Sequence, residues 1–390
     1  MAEIKISEID QLAPDSYVLI DIREESYTHY GMMPGAVALP FEEWGENPQV
    51  ILDQFSPEKK LIVYCQRGQI SLEAAELLED LGRDAVSLEG GYTSYLVDSM
   101  AKDEAEEEDR QAIAEESIRK KFHKQLFSPF ARACKTYKLI QEGDHIAVCI
   151  SGGKDSMLMA KLFQEIQRHR QVNFELTFVV MDPGYNKENR ALIEHNAKLL
   201  GIPITIFESD IFDAVDTIEK SPCYLCARMR RGHLYSKAKE LGCNKIALGH
   251  HYDDVIETIL MGMLHGGQIQ TMMPKLHSTN FEGMELIRPL YLIREEDIIK
   301  WRDYNNLKFL QCACHFTETC TTCHEDGTTS SKRLETKKLI ASLKKTNPYL
   351  EGNIFKSVEN VNLSTVIAYK KDGVKHHFLD TYDDDLGVED

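Results

Sequence analysis

Nothing in the 390 residues approaches the run of roughly 18 apolar residues that a membrane-crossing helix needs, which argues against an integral membrane protein. The opening MAEIKISEID is charged and lacks the apolar stretch of a secretory leader, so a cytoplasmic location is expected. No repeat of solenoid length is present. With 43% hydrophobic and 28% charged residues, composition is that of an ordinary globular protein, and the length suggests two or three domains. In a reducing compartment, the ten cysteines point to catalysis or metal binding more than to disulfides.

Positive charge is scarce: 45 Lys and Arg stand against 63 Asp and Glu, a net of −18. That is the wrong sign for a nucleic-acid binder, but the shortage is local. Residues 1–101 hold 19 acids and 6 bases, residues 102–121 hold 8 and 5, and residues 380–390 hold 6 acids and no base. The stretch 122–379 keeps 34 bases against 30 acids and can still meet a polyanion. These shifts divide the chain into an N-terminal domain 1–101, an acidic linker or exposed helix 102–121, a core domain 122–379 and an acidic tail 380–390.

The N-terminal domain alternates strand-like Tyr17–Ile22, Leu61–Tyr64 and Ala85–Leu88 with a helical pattern over Ser71–Leu81 that stops at Gly82. It reads as a small α/β domain. The core domain repeats the alternation, with strand-like His145–Ile150, Phe174–Met181, Ile204–Phe207 and Lys245–Leu248. Strands alternating with helices imply a larger, doubly wound parallel sheet with ligands at the carboxyl ends of its strands.

Cys65 follows strand LIVY and opens a loop, residues 65–71, ahead of a helix. A thiol there faces backbone N–H groups and the positive end of a helix dipole, which favour a thiolate or an anionic persulfide, and Arg67 adds charge. Asp21-Ile22-Arg23, His29 to Ala36, the Cys65 loop and Gly90-Gly91-Tyr92 resemble the rhodanese family in order and spacing. The resemblance covers about the first 100 residues and implies that Cys65 carries a persulfide. Met32 stands where that family usually has His, and Ile70 where a second Arg is common.

Ser151-Gly152-Gly153-Lys154-Asp155-Ser156 lies between strand HIAVCI and a helical pattern. Glycines let the backbone approach a phosphate, a helix N-terminus supplies N–H donors, and Asp155 suits a divalent metal bridging phosphates. The hexapeptide resembles the PP-loop of ATP pyrophosphatases, which split ATP into AMP and pyrophosphate while adenylating a substrate. Gly249-His250-His251-Tyr252-Asp253-Asp254, with Glu257-Thr258, resembles a motif of PP-loop enzymes that thiolate tRNA, and Met181-Asp182 a segment beside their nucleotide. The resemblance implies ATP binding by Ser151, Gly152, Gly153, Lys154, Asp155, Ser156, Asp182, Gly249, His250 and Asp254, with Mg²⁺ held by Asp155.

Cys223-Tyr224-Leu225-Cys226 precedes an Arg-rich turn, and Cys312, Cys314, Cys320 and Cys323 come later. By itself a CxxC pair fits zinc, redox or cluster chemistry, and the later four a small zinc site. The segment 222–242, Gly266-Gly267, Met273-Pro274-Lys275 and Ile287-Arg288-Pro289-Leu290 are similar to the tRNA 2-thiocytidine synthetase family. That implies a 4Fe–4S cluster on Cys223, Cys226 and one later cysteine, assigned to Cys312. Cys134, Cys149 and Cys243 read as core.

The expected function is ATP-dependent tRNA thiolation. ATP would adenylate a pyrimidine oxygen, and sulfur supplied through Cys65 would replace it. Arg228, Arg230, Arg231 and Lys275 are the candidate tRNA phosphate contacts. The expected partners are tRNA and a persulfide donor such as a cysteine desulfurase. A homodimer is compatible with the sequence. The alternatives are the same chemistry on a small molecule or protein, and a non-catalytic persulfide- and iron-sensing module.

Overall fold

Short runs of aliphatic residues bounded by polar turns build two sheets, because strands buried on both faces need apolar side chains on both. The computed structural model describes residues 3–28, 31–45, 47–105, 110–209, 222–309 and 332–382, with the backbone only at 25, 26, 50, 100–105 and 222–228. Contacts divide the chain into one unit of Met1–His251 with Pro274–Thr322 and a second of Tyr252–Met273 with Cys323–Asp390. No helix among the described residues is long and apolar enough to cross a membrane.

The first unit holds both sheets. One runs β1 (Glu3–Ile4), β5 (Ala85–Leu88), β4 (Lys60–Tyr64), β2 (Tyr17–Asp21) and β3 (Val37–Ala38), all parallel. Its helix Gln69–Asp80 is followed by Gly82 at φ +82, the stop expected from the sequence. The other runs β10 (Lys275–His277), β11 (Glu285–Ile287), β9 (Lys245–Ala247), β6 (His145–Ile150), β7 (Glu175–Asp182) and β8 (Ile204–Glu208). Its strands are parallel except β10, which pairs antiparallel with β11. The connection 278–284 is too short for a crossover, so an otherwise parallel sheet gains an antiparallel edge.

The stretch read as an acidic linker is more than a tether. Its helix Arg110–Arg119 buries Ala114, Glu115, Ser117 and Ile118, while residues 106–109 lie outside the described ones. Leu96, on the helix Gly91–Ala105, shares one buried apolar cluster with Ile193 of the helix Lys187–Leu199. Lys308 Nζ lies 5.0 Å from the Tyr95 ring centroid, and Arg110 donates to the Asn305 carbonyl at 3.0 Å. The helix Gly91–Ala105 therefore packs against the helix Lys187–Leu199 of the larger domain.

The second unit packs the helices Tyr252–Gly266, Lys332–Lys344 and Leu350–Ser357 together. Tyr252 stacks on Phe355 at 4.4 Å and 11°. Strands β12 (Ala368–Lys371) and β13 (Val374–His377) form a hairpin. Its turn is Asp372-Gly373, with φ of +52 and +81, the left-handed pair that a tight two-residue turn requires.

Glu115 joins the first unit's helices by charge. It accepts from Lys161 Nζ and Arg168 Nη1, both at 2.7 Å, and from Gln111 at 3.0 Å. Burial acts to raise its carboxyl, but the hydrogen bonds from Arg168, Lys161 and Gln111 outweigh it and hold it at about 2, below the ordinary 4.5. A carboxyl held below its unfolded value stabilises the fold above about pH 4.5, and that contribution is lost as the pH falls towards 2. Replacing Glu115 with Ala is expected to cost roughly 3–5 kcal/mol at neutral pH, because Lys161 then stays buried without its carboxylate. Urea denaturation between pH 2 and 7 should show this loss and a flatter acid limb in the variant.

Candidate nucleotide and sulfur sites

The loop 151–153 leaves the carboxyl end of β6, which has β7 on one side and β9 on the other. Chain order reverses at β6, so a crevice opens there. Gly152 takes φ +84, a conformation that disfavours any side chain, and Gly153 caps the helix Lys154–Arg168. Ser156 Oγ accepts from Ser151 N at 3.1 Å and donates to the Gly153 carbonyl at 2.9 Å, closing the loop on itself.

Lys154 is buried, with Nζ 3.2 Å from Asp155 Oδ2 and 3.1 Å from Glu295 Oε1. Glu295 opens the helix Glu295–Tyr304 and was not foreseen, since nothing near it in sequence marks it as a partner of the loop. Asp155 Oδ1 is buried and takes no hydrogen bond, although Lys154 lies 3.2 Å away. A buried carboxylate oxygen with an ion-pair neighbour but no formed hydrogen bond can take a bridging cation, so the residues present fit Mg²⁺. A Cβ on Gly249 would sit 3.3 Å from Ser156 N, so this glycine lets the chain after β9 close on the loop. His250 follows it and is half-buried.

The other expected nucleotide residues are engaged. Asp182 accepts from the backbone of Gly184 at 2.9 Å and Tyr185 at 2.7 Å, and pairs with Arg190 at 3.1 Å, so its carboxylate shapes the loop after β7. In the second unit, Asp254 pairs with Arg333 at 2.6 Å, and Glu257 lies 3.3 Å from the same nitrogen. Arg333 was also not foreseen.

Cys65 is buried at the end of β4, and its Sγ accepts from Gly68 N at 3.1 Å and Ser71 Oγ at 3.4 Å. A Cβ on Gly91 would fall 2.4 Å from the Cys65 carbonyl, so only glycine lets that turn close on the thiol loop. Arg23 braces the loop from below. It pairs with Asp21 at 2.6 Å, donates to Gln66 Oε1 at 3.1 Å and lies 3.9 Å from the Tyr92 ring centroid. Burial is the main cause that pushes the Cys134 and Cys149 thiols up, with Cys243 adding to it at Cys149, which reaches about 12, in keeping with their expected place in the core.

Cys223 and Cys226 lie three apart on the helix Pro222–Glu240, one turn of the same face, but their side chains and that of Arg228 lie outside the described residues. So does the whole segment with Cys312, Cys314, Cys320 and Cys323. Among the described residues no group of three or more His, Cys, Asp and Glu is placed to hold a metal. Arg231 is exposed and Arg230 half-buried. Lys275, a candidate phosphate contact, has its ammonium 3.0 Å from Glu285, 3.2 Å from the Lys138 carbonyl and 3.3 Å from Gln141. An ammonium has three donors, and these contacts use all of them.

The PP-loop domain family matches residues 117–314 and the rhodanese-like domain family residues 7–98. The tRNA-cytidine(32) 2-sulfurtransferase of Neisseria meningitidis serogroup C is 38% identical over 198 residues, 49% of this chain and 61% of that protein. The protein of the same name from Geobacter sulfurreducens is 34% identical over 242 residues, 61% of this chain and 90% of that one. The chain thus spans 61% of the length of the Neisseria relative and more of the Geobacter one. The U34-tRNA thiolase NcsA from Methanococcus maripaludis, solved with its [4Fe-4S] cluster, overlaps at a TM-score of 0.47 with 21% identity, covering 67% of this chain and 88% of that one. The extent of the PP-loop match and the coverage of the Geobacter relative establish that this chain belongs to the PP-loop family that includes the tRNA-cytidine(32) 2-sulfurtransferases, with a rhodanese-like domain ahead of it.

Proposed function

We propose that the chain is a sulfurtransferase that uses ATP to thiolate a cytidine of tRNA, with sulfur supplied by its own rhodanese-like domain. The observation that carries this reading is the loop 151–156, a phosphate cradle at the reversal point of the sheet with an unsatisfied carboxylate oxygen on Asp155. The names of the relatives support the choice of substrate.

In this reading the N–H groups of the first helical turn and Lys154 hold the phosphates of ATP, and Glu295 keeps the Lys154 ammonium aimed. Asp155 would hold Mg²⁺, which supplies charge neutralisation as pyrophosphate leaves. Asp182, Gly249 and His250 border the adenosine. The cytidine O2 attacks the α-phosphorus, pyrophosphate departs, and C2 carries an adenylate. Sulfur at the sulfide level then bonds to C2, and AMP leaves with the former O2. Cys223, Cys226 and Cys312 would hold a 4Fe–4S cluster, whose chemistry when bound is an open iron for a soft sulfur ligand. The thiolate character of that donor set fits such a group. Arg228, Arg230 and Arg231 contact tRNA phosphates.

Cys65 accepts sulfane sulfur from a persulfide donor such as a cysteine desulfurase. Gly68 N–H and the Ser71 hydroxyl donate to Sγ and stabilise the thiolate that attacks the donor persulfide and that is left when the outer sulfur is passed on. Passing that sulfur on at the sulfide level takes two electrons, which a thiol reductant supplies.

Two experiments test the reading. Wild-type protein with ATP, Mg²⁺ and tRNA is expected to release AMP and pyrophosphate, and Asp155→Ala to lose this by a factor of at least about 100, the scale of one lost transition-state contact. Release of ADP and phosphate would overturn it. Cys65→Ala is expected to leave pyrophosphate release and sulfide-driven thiolation intact while persulfide-driven thiolation falls. Equal rates with both sulfur sources in the variant would remove Cys65 from the sulfur path.

A further inference from the structure

Residues 332–379 carry ten Lys and Arg against four Asp and Glu, a net of +6 in a chain of −18. Part of that charge sits on an exposed ribbon. Strands β12 and β13 set Tyr369 opposite His376, Lys370 opposite Lys375 and Lys371 opposite Val374. Side chains alternate along a strand, so Lys370 and Lys375 share one face while Tyr369 and His376 share the other with Lys371. The Tyr369 and His376 rings stack at 4.9 Å and 18°.

Two features are costly for a ribbon that serves only the fold. Like charges directly opposite each other in an antiparallel pair destabilise it. A two-stranded hairpin is also marginal by itself, yet this one and its flanks leave apolar surface open, with Ile367 73%, Val374 58%, Leu379 60% and Tyr382 62% exposed. A single ligand relieves both costs if it brings negative charge at regular spacing and flat apolar faces. Single-stranded nucleic acid has both, with phosphates for the lysines and unstacked bases for the rings. An acidic peptide would answer the charge and leave the stacked rings uncovered.

We propose that the β12–β13 hairpin is an RNA-binding ribbon. Lys370, Lys371 and Lys375 take backbone phosphates, and the stacked pair Tyr369 and His376 forms a platform for an unpaired base. The inference rests on the tRNA reading above and adds to it where this chain holds a single-stranded part of the RNA.

The test titrates the full chain with unmodified tRNA, and separately with a fully paired RNA duplex, over a range of salt. Lys370→Ala with Lys375→Ala is expected to lower the slope of log affinity against log salt by about 1.4, near 0.7 for each lost single-strand phosphate contact. Tyr369→Ala is expected to weaken tRNA binding about tenfold, leave the slope unchanged and leave duplex binding unaffected. The two lysines repel each other in the free protein, so removing them should hold or raise the urea midpoint, which separates lost binding from lost folding. ATP cleavage measured without RNA should be the same in all variants. Wild-type binding of tRNA with unchanged affinity and slope in the lysine variant overturns the ribbon alone, including the case in which it serves an acidic protein. A wild-type chain that binds no tRNA at low salt overturns the ribbon and the tRNA reading together.

Discussion

The strand β6, held between β7 and β9, sets the position of almost everything at the nucleotide loop. Its parallel partners on both sides leave its carboxyl end at the one place where neighbouring connections run in opposite directions, so the turn that follows faces open space. The turn must then reverse into a helix within three residues. Gly152 makes this possible with a left-handed backbone, and Ser156 ties the result down by accepting from Ser151. The first helical turn presents its N–H groups towards the crevice as a consequence of chain geometry, before any ligand is considered.

Buried charge does the work of orientation around this frame. Lys154, Lys161 and Lys245 are all buried, and each is held by a carboxylate: Glu295, Glu115 and Asp144 respectively. A buried ammonium without such a partner would be too costly to keep ionised. The pairs therefore fix helices and strands to one another at defined points. At Lys154 the same physics sets the direction of a cation aimed at the loop. At Glu115 it ties the segment after the small domain to the helix Lys154–Arg168, so the two sheets share one packed unit through both apolar and ionic contacts.

Charge is also distributed along the chain in a way that suits two kinds of neighbour. The small domain is strongly acidic, while the residues from 332 to 379 are basic. The thiol loop itself depends on no net positive charge. It depends on the short-range N–H of Gly68 and the hydroxyl of Ser71, which act at hydrogen-bond distance and are little affected by the acids around them.

The sequence by itself determined the features whose chemistry lies in consecutive residues. The thiol loop after β4, the phosphate loop after β6, the helix stop at Gly82 and the apolar strands were all legible, because backbone conformation and burial period are local properties. The Asp372-Gly373 turn was legible in principle as a hairpin signal between two short strands. Tertiary structure alone decided the partners. Glu295 lies 141 residues from Lys154, Glu115 lies 46 from Lys161, and Arg333 lies 79 from Asp254. Each is a charged residue on a helix, and its sequence neighbourhood matches that of a solvated surface residue. Lys275, read as a candidate phosphate contact, pairs with Glu285, a partner the sequence did not mark. A carboxylate becomes an orienting group only when folding removes water and leaves a single counter-charge within reach.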